Sequence, residues 1–206
     1  DKDCINQLIE YYKELEDKEN YILAASVKFP CGKSRPGKLS LDGVGFPTNP
    51  HSADYLISAL LLLPKKVYKK VPWNERLKHE FDDIFYSLKC KKMGFKLAFY
   101  NRILAIHDEE YSTRARRSQV SEINNKVYTM LYKHIVISPS LLGLLVLETY
   151  GFMRTLLWHL QPYISSPILA IRLFVSCFYS WFEGHYWFLN DLKDLLSDAP
   201  SNVVTY

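Results

Sequence analysis

Cysteine is scarce in this chain of 206 residues, and the four present, Cys4, Cys31, Cys90 and Cys177, form no C-x-x-C pair and match no zinc-module spacing. Four cysteines in this length are no disulfide framework, which points to a reducing, intracellular compartment. The N-x-[ST] sequon is absent. Glycine, at 8, and proline, at 10, are few, and four of each fall within residues 29–53. Elsewhere the chain is poorly punctuated, which favours long helices over many short strands. A clean apolar run of about 20 residues, as a membrane span needs, is also missing. Glu148, Arg154 and Arg172 interrupt residues 135–182, and the longest uncharged run, Thr155 to Ile171, contains His159, Gln161, Pro162 and Pro167. Each charge at mid-span costs about 3 kcal/mol, so two or three buried core helices are expected there.

What is abundant is apolar and aromatic material. Hydrophobic residues make up 48% and aromatics 15%, with 15 Tyr and 11 Phe. Such a chain can offset its ordering entropy and fold around a sizeable core. The net charge of +4 is unevenly spread: residues 65–102 carry eleven Lys or Arg against four Asp or Glu. A basic middle attracts nucleic acid or an anionic membrane surface when it is more than a solvated helix face.

Helical periodicity recurs along the chain. Ile5, Leu8, Ile9, Tyr12 and Leu15 share one stripe, and residues 21–28 extend that helix or form a short strand. Residues 29–53 read as one long irregular loop. Asp54 is placed to cap a helix through Leu63, and Pro72 opens another to about Lys91. Residues 95–107 (FKLAFYNRILAIH), 118–137 and 140–161 read as further helices, and Ser166-Pro167 starts the last, to about Ser197, with Gly184 as a bend. The fold expectation is therefore an all-α multi-helix bundle of about seven helices, a single domain over 1–206 with 1–53 as a candidate N-terminal subdomain.

Several constellations carry chemistry. Arg102-x4-His107 recurs as Arg154-x4-His159, and this spacing resembles the R-x4-6-H signature of the HEPN ribonucleases, which are helical bundles. The resemblance implies a dimer in which histidine serves acid–base transfer and arginine steadies the phosphate, without metal. Ile103 departs from the polar residue that family places after the arginine, whereas Thr155 fits it. Separately, His79 followed by His107-Asp108 resembles the first half of the H…HD…D pattern of HD phosphohydrolases, which implies a divalent metal. The closing aspartate is missing from residues 124–190, and Asp191 is the first available. His79 and Asp83 also stand at i and i+4, a ligand spacing on a helix or an ordinary polar face. Gly32-Lys33-Ser34 ends like a phosphate-binding loop, but Val27 occupies the place of its first glycine.

Lys65, Lys66, Lys69, Lys70 and Trp73, with Arg114, Arg116 and Arg117, mix cations and an aromatic ring as a phosphate- or lipid-facing surface would. The tail rings Phe178, Tyr179, Trp181, Phe182, Tyr186, Trp187 and Phe188 are too bulky all round for an ordinary solvent face. No catalytic pattern outweighs its structural alternative. The expectation is a non-enzymatic interaction module that binds a protein, or an anionic partner such as nucleic acid or membrane, through the basic segment or the aromatic surface. A metal-independent ribonuclease, an HD-like phosphohydrolase and a membrane-associated domain stand behind it, and no cofactor is implied.

Overall fold

The computed structural model describes residues 2–29, 32–57, 60–77, 81–106, 119–161 and 165–197. Its centre is a strand, β1 (Tyr21–Phe29). Residues 22–27 are all buried, so the run lacks the polar alternation of a half-exposed strand. Burial on both sides explains this. Ile22 and Ala24 join one hydrophobic cluster, while Leu23 and Ala25 join another on the opposite face, the period of two that a strand imposes.

β6 (Lys96–Ile106) lies parallel to β1 along its length, from the pair Tyr21↔Lys96 to Lys28↔Ile106. The other edge of β1 is shared by two short antiparallel strands, β2 (Gly32–Lys33) and β5 (Leu61–Leu62). A second, two-stranded sheet pairs β3 (Gly37–Leu39) with β4 (Gly45–Pro47). The expected all-α bundle is thus overturned: the protein holds a four-stranded mixed sheet and a two-stranded one beside its helices. Residues 95–107 mislead because Leu97 and Ala98 are buried on opposite faces of β6, which removes the alternation there, and the apolar residues then fall by chance at helical spacing. The long loop at 29–53 likewise contains β2, β3 and β4.

Helices cover both faces of the sheet. On one side α1 (Lys2–Glu14) packs Leu8, with Cys4, Tyr11 and Tyr12, against Leu23, Ala25 and Ala98. On the other, α2 (Lys65–Lys70) and α3 (Asp82–Lys92) bring Val67, Tyr86 and Cys90 onto Ile22, Ala24 and Leu97. The opposite side of α3 presents Phe85 and Leu88 to a third cluster, built on α4 (Gln119–Leu131) and the helices after it. α4 continues as a wider π-helical segment, Tyr132–Ile137. Ser140 then caps α5 (Leu141–Val146), its side chain accepting from the Gly143 N–H at 2.9 Å. A second π segment, Leu147–Gly151, leads into α6 (Phe152–Leu160). α7 (Pro167–Ser197) runs unbroken for 31 residues. Gly184 does not bend it. A Cβ there would stand 2.7 Å from the Asn124 carbonyl oxygen, so the glycine serves the close approach of α7 to α4.

Two further expectations change. Asp54 caps no helix; its carboxylate accepts from the Leu39 N–H at 3.0 Å and the Lys133 ammonium at 2.9 Å, tying the β3–β4 sheet to α4's extension. The helix expected from Pro72 begins only at Asp82, after Phe81 in a left-handed conformation with φ 61°.

Candidate functional site

One cavity of about 240 Å³ lies between the β3–β4 connection, α4 and α6, lined by Gly43, Val44, Phe81, Glu122, Ile123, Lys126, Arg154, Thr155, Trp158 and His159. The β3–β4 connection turns at Gly43, whose φ of 84° suits glycine and whose missing side chain leaves room for Lys126: a Cβ would stand 2.9 Å from Lys126 Cε. That turn presents Asp42. The carboxylate accepts from the Ser40 hydroxyl and from Arg154 Nη1 at 2.9 Å. Burial works to raise the Asp42 pKa, but the Ser40 hydroxyl and the Arg154 guanidinium hold it below the usual carboxylate range.

Lys126 is the unusual wall residue. It falls in the stripe that carries Ile123, Val127 and Met130 toward the core, and its ammonium donates to the Thr155 hydroxyl at 3.0 Å. No carboxylate lies within ion-pair distance of it among the described residues. Burial depresses its pKa, and Arg154 adds to that while Asp42 and Glu122 oppose it. Beside it His159 is only 5% exposed. Burial, then the neighbouring Lys126 charge, lowers its pKa. Its ring makes no hydrogen bond among the described residues, although it lines open space. Among the described residues, then, a cation outside ion-pair distance of any carboxylate and a histidine without a hydrogen bond face one cavity.

The second feature is a surface. Of 23 exposed large apolar side chains among the described residues, 18 fall between Leu141 and Leu196. On α7 they follow one stripe through Ile168, Ile171, Val175, Tyr179, Phe182, Tyr186 and Leu189. On α5–α6 a second stripe holds Leu142, Leu145, Met153 and Leu157, with Trp158 73% exposed beside the cavity. The helices meet where the Phe152 ring packs edge-on against Phe178 and Trp181. Four titratable groups of this pair bond to each other or to the layer beneath. Glu148 accepts from Trp181 Nε1 at 3.0 Å and pairs with His185 at 2.7 Å, Arg154 turns to Asp42, and Asp191 binds Arg76 and the Tyr128 hydroxyl. Burial works to lower the His185 pKa, but Glu148 and the Trp181 carbonyl raise it overall.

The structure brings Arg154 and His159 to the same cavity from one turn-and-a-half of α6. Of the other pair only Arg102 is described: it stands exposed on β6, with its guanidinium over the Tyr100 ring at 5.9 Å, where β6 bulges between the pairs Ala25↔Tyr100 and Ser26↔Ile103. His79, His107, Asp108, Arg114, Arg116 and Arg117 lie outside the described residues. Among the described residues no group of three or more His, Cys, Asp or Glu comes together to hold a metal ion.

Lys65, Lys66, Lys69 and Lys70 are exposed on α2, and Lys66 donates to the Asn20 side chain at 2.6 Å. Trp73 is not offered with them; it stacks on Tyr86 at 4.4 Å and packs against the sheet cluster. Sequence reasoning missed Asp42, Glu122, Lys126, Trp158 and the Glu148–His185 pair. The one legible signal was Lys126, a lysine set within the apolar stripe of its helix. No family model, curated protein or solved structure matches the chain.

Proposed function

We propose that this protein is a docking module that lies on a lipid bilayer through the apolar face of α5, α6 and α7. The observation that carries the reading is the concentration of 18 exposed large apolar side chains on those helices. Monomeric soluble proteins rarely expose contiguous apolar patches above a few hundred Å². A water-facing layer of this kind costs on the order of 10 kcal/mol relative to burial, so something apolar covers it.

Lipid fits better than the protein partner expected from sequence. Transient protein interfaces mix polar and apolar area and place charges at their rim. Here the outward stripes carry leucine, isoleucine, valine, methionine and aromatic rings; Arg172 is exposed near the start of α7, and Lys193 and Asp194 are exposed near its end. Residues Leu141–Leu160 pass as a membrane span by length and composition, yet only 28% of that stretch is buried, unlike a core helix. At 1.5 Å per residue its 20 residues extend about 30 Å, the depth or footprint of a hydrocarbon layer. The reverse side of the same helices is bonded to Asp42, Arg76 and Lys126. Only one side is therefore free for lipid, which favours lying on the bilayer over crossing it. The non-enzymatic interaction role expected from sequence is retained, with the aromatic surface rather than the basic segment as its instrument.

Vesicle flotation tests this. The protein should rise with phosphatidylcholine vesicles, and the double variant Leu145→Glu, Tyr179→Glu should stay at the bottom while keeping its circular dichroism. Equal flotation of variant and parent, or a parent that remains soluble and monodisperse beside the vesicles, would sink the reading.

A further inference from the structure

We propose that the cavity between the β3–β4 turn, α4 and α6 is a binding site for a phosphate monoester, held by Lys126, the free edge of the Arg154 guanidinium and His159. The argument is one of unmet demand. A buried charge is stabilised only when it is paired or richly hydrogen-bonded. Asp42 already has its counter-ion in Arg154. Lys126 has a single neutral acceptor, the Thr155 hydroxyl at 3.0 Å, and forms no ion pair among the described residues. An ammonium offers three donors, so two of them remain for a ligand. Arg154 spends Nη1 on Asp42 and keeps the rest of its fork.

His159 is the independent observation. It is 5% exposed, has no hydrogen bond among the described residues and borders open space. Three donors on two helices, at different bearings around one volume, suit a tetrahedral oxyanion better than a planar carboxylate. The volume of about 240 Å³ admits the group with a short organic stem. Phe81 and Trp158 supply an apolar wall for that stem. Glu122 is the opposing feature: its carboxylate lines the same cavity and restricts occupancy to ligands whose charge stays near Lys126.

The site stands apart from the lipid reading, because its donors, Lys126, Arg154 and His159, are not among the exposed apolar side chains and its first test uses no vesicles. Thermal unfolding and intrinsic fluorescence of the full chain are followed during titration with glycerol 3-phosphate, with sodium chloride matched for ionic strength. The parent should be stabilised saturably. Lys126→Met should weaken binding about tenfold or more, the loss of one charge-assisted contact. Glu122→Gln should bind roughly threefold tighter, since it removes a repelling charge from the wall of the cavity and leaves all three donor side chains in place. This second variant keeps the idea open to refutation even where Lys126→Met fails to fold. A parallel arm uses phosphatidylcholine vesicles with and without phosphatidic acid, which bears the same phosphate monoester. Gain of affinity for the phosphatidic acid vesicles alone, abolished in Lys126→Met, assigns the phosphate to a lipid headgroup; response to glycerol 3-phosphate assigns it to a soluble ester. No response in either arm, or responses unchanged in both variants, would overturn the site. Flotation on pure phosphatidylcholine remains a separate readout, so loss of the phosphate site leaves the docking reading standing.

Discussion

Asp54 illustrates how one carboxylate can hold two layers together. It accepts from the Leu39 N–H, pairs with Lys133 at 2.9 Å and lies 3.7 Å from Lys91. The side chains of Asp54 and Lys133 are 14% and 13% exposed, so the pair is shielded from salt and solvent. Burial alone would raise the Asp54 pKa, but the Leu39 amide and Lys133 outweigh it and the group titrates below its ordinary value. A folded pKa below the unfolded one means the contribution is complete above the unfolded value, about 3.9. It is lost as pH falls through the folded value. Asp54→Asn should therefore destabilise by about 3 kcal/mol near neutrality, because it strands a buried lysine. Urea unfolding at pH 7 and at acidic pH checks both halves: the gap between parent and variant should narrow as the medium is acidified through the carboxylate range. An equal gap at both would mean the charge is irrelevant.

From sequence Asp54 looked like a helix cap, because Asp before an apolar run has that meaning locally. Its true partners, Leu39 and Lys133, lie 15 and 79 positions away. The Arg154 and His159 pair was legible because both sit on one helix at fixed spacing. Asp42 was not, and Lys126 showed only as a lysine within an apolar stripe, since their place beside that pair depends on how α4 and the β3–β4 turn pack against α6.

Among elements, those whose signals are local came through. The proline at α7's start and the helical start near residue 140 were readable, as was the stripe of α1. The strand β1 stood as one of two readings of residues 21–28, and β6 was read as a helix, because burial of neighbouring residues on opposite faces removes the alternation that marks a strand. Even within a correctly read helix the role of a residue depends on its neighbour. Gly184 has the look of a hinge, yet it is the point where α7 meets the α4 backbone. A Cβ at this position would stand 2.7 Å from the Asn124 oxygen and 2.8 Å from Val127 Cβ. Neither can yield without separating two helices that bury Tyr128, Trp181 and Phe188 in one cluster. Gly184→Ala, which raises intrinsic helix propensity by about 1 kcal/mol, should nonetheless destabilise by about 1–3 kcal/mol through overpacking. A urea midpoint at or above that of the parent would show that α7 does not press on α4 as described.

At the scale of the whole molecule the layers form a sequence of decreasing enclosure. The sheet is covered on both faces, α3 lies between two clusters, α4 packs into the second of them, and α5–α6 and α7 form the outermost layer with one side bare. The bare side is what the composition announced without locating: a tail too aromatic for solvent, on helices where Arg154, Asp191, Glu148 and His185 turn to Asp42, Arg76 and each other. Trp158 makes this geometry measurable. It is 73% exposed on the outer stripe, whereas Trp181, on the inner side of α7, is 4% exposed and bonded to Glu148. When the protein meets phosphatidylcholine vesicles, Trp158 should pass from water into hydrocarbon while Trp181 keeps its surroundings. The emission should shift to the blue, and brominated acyl chains should quench it. In Trp158→Phe most of that quenching should vanish, with flotation intact because phenylalanine is still apolar. Trp181 cannot be the origin of a residual signal unless the bundle opens, since its indole is sealed behind Phe152 and Phe178. If quenching survives in full in the Trp158→Phe variant, lipid contacts a different face, and the outer layer of α6 and α7 is not the surface on which this protein docks.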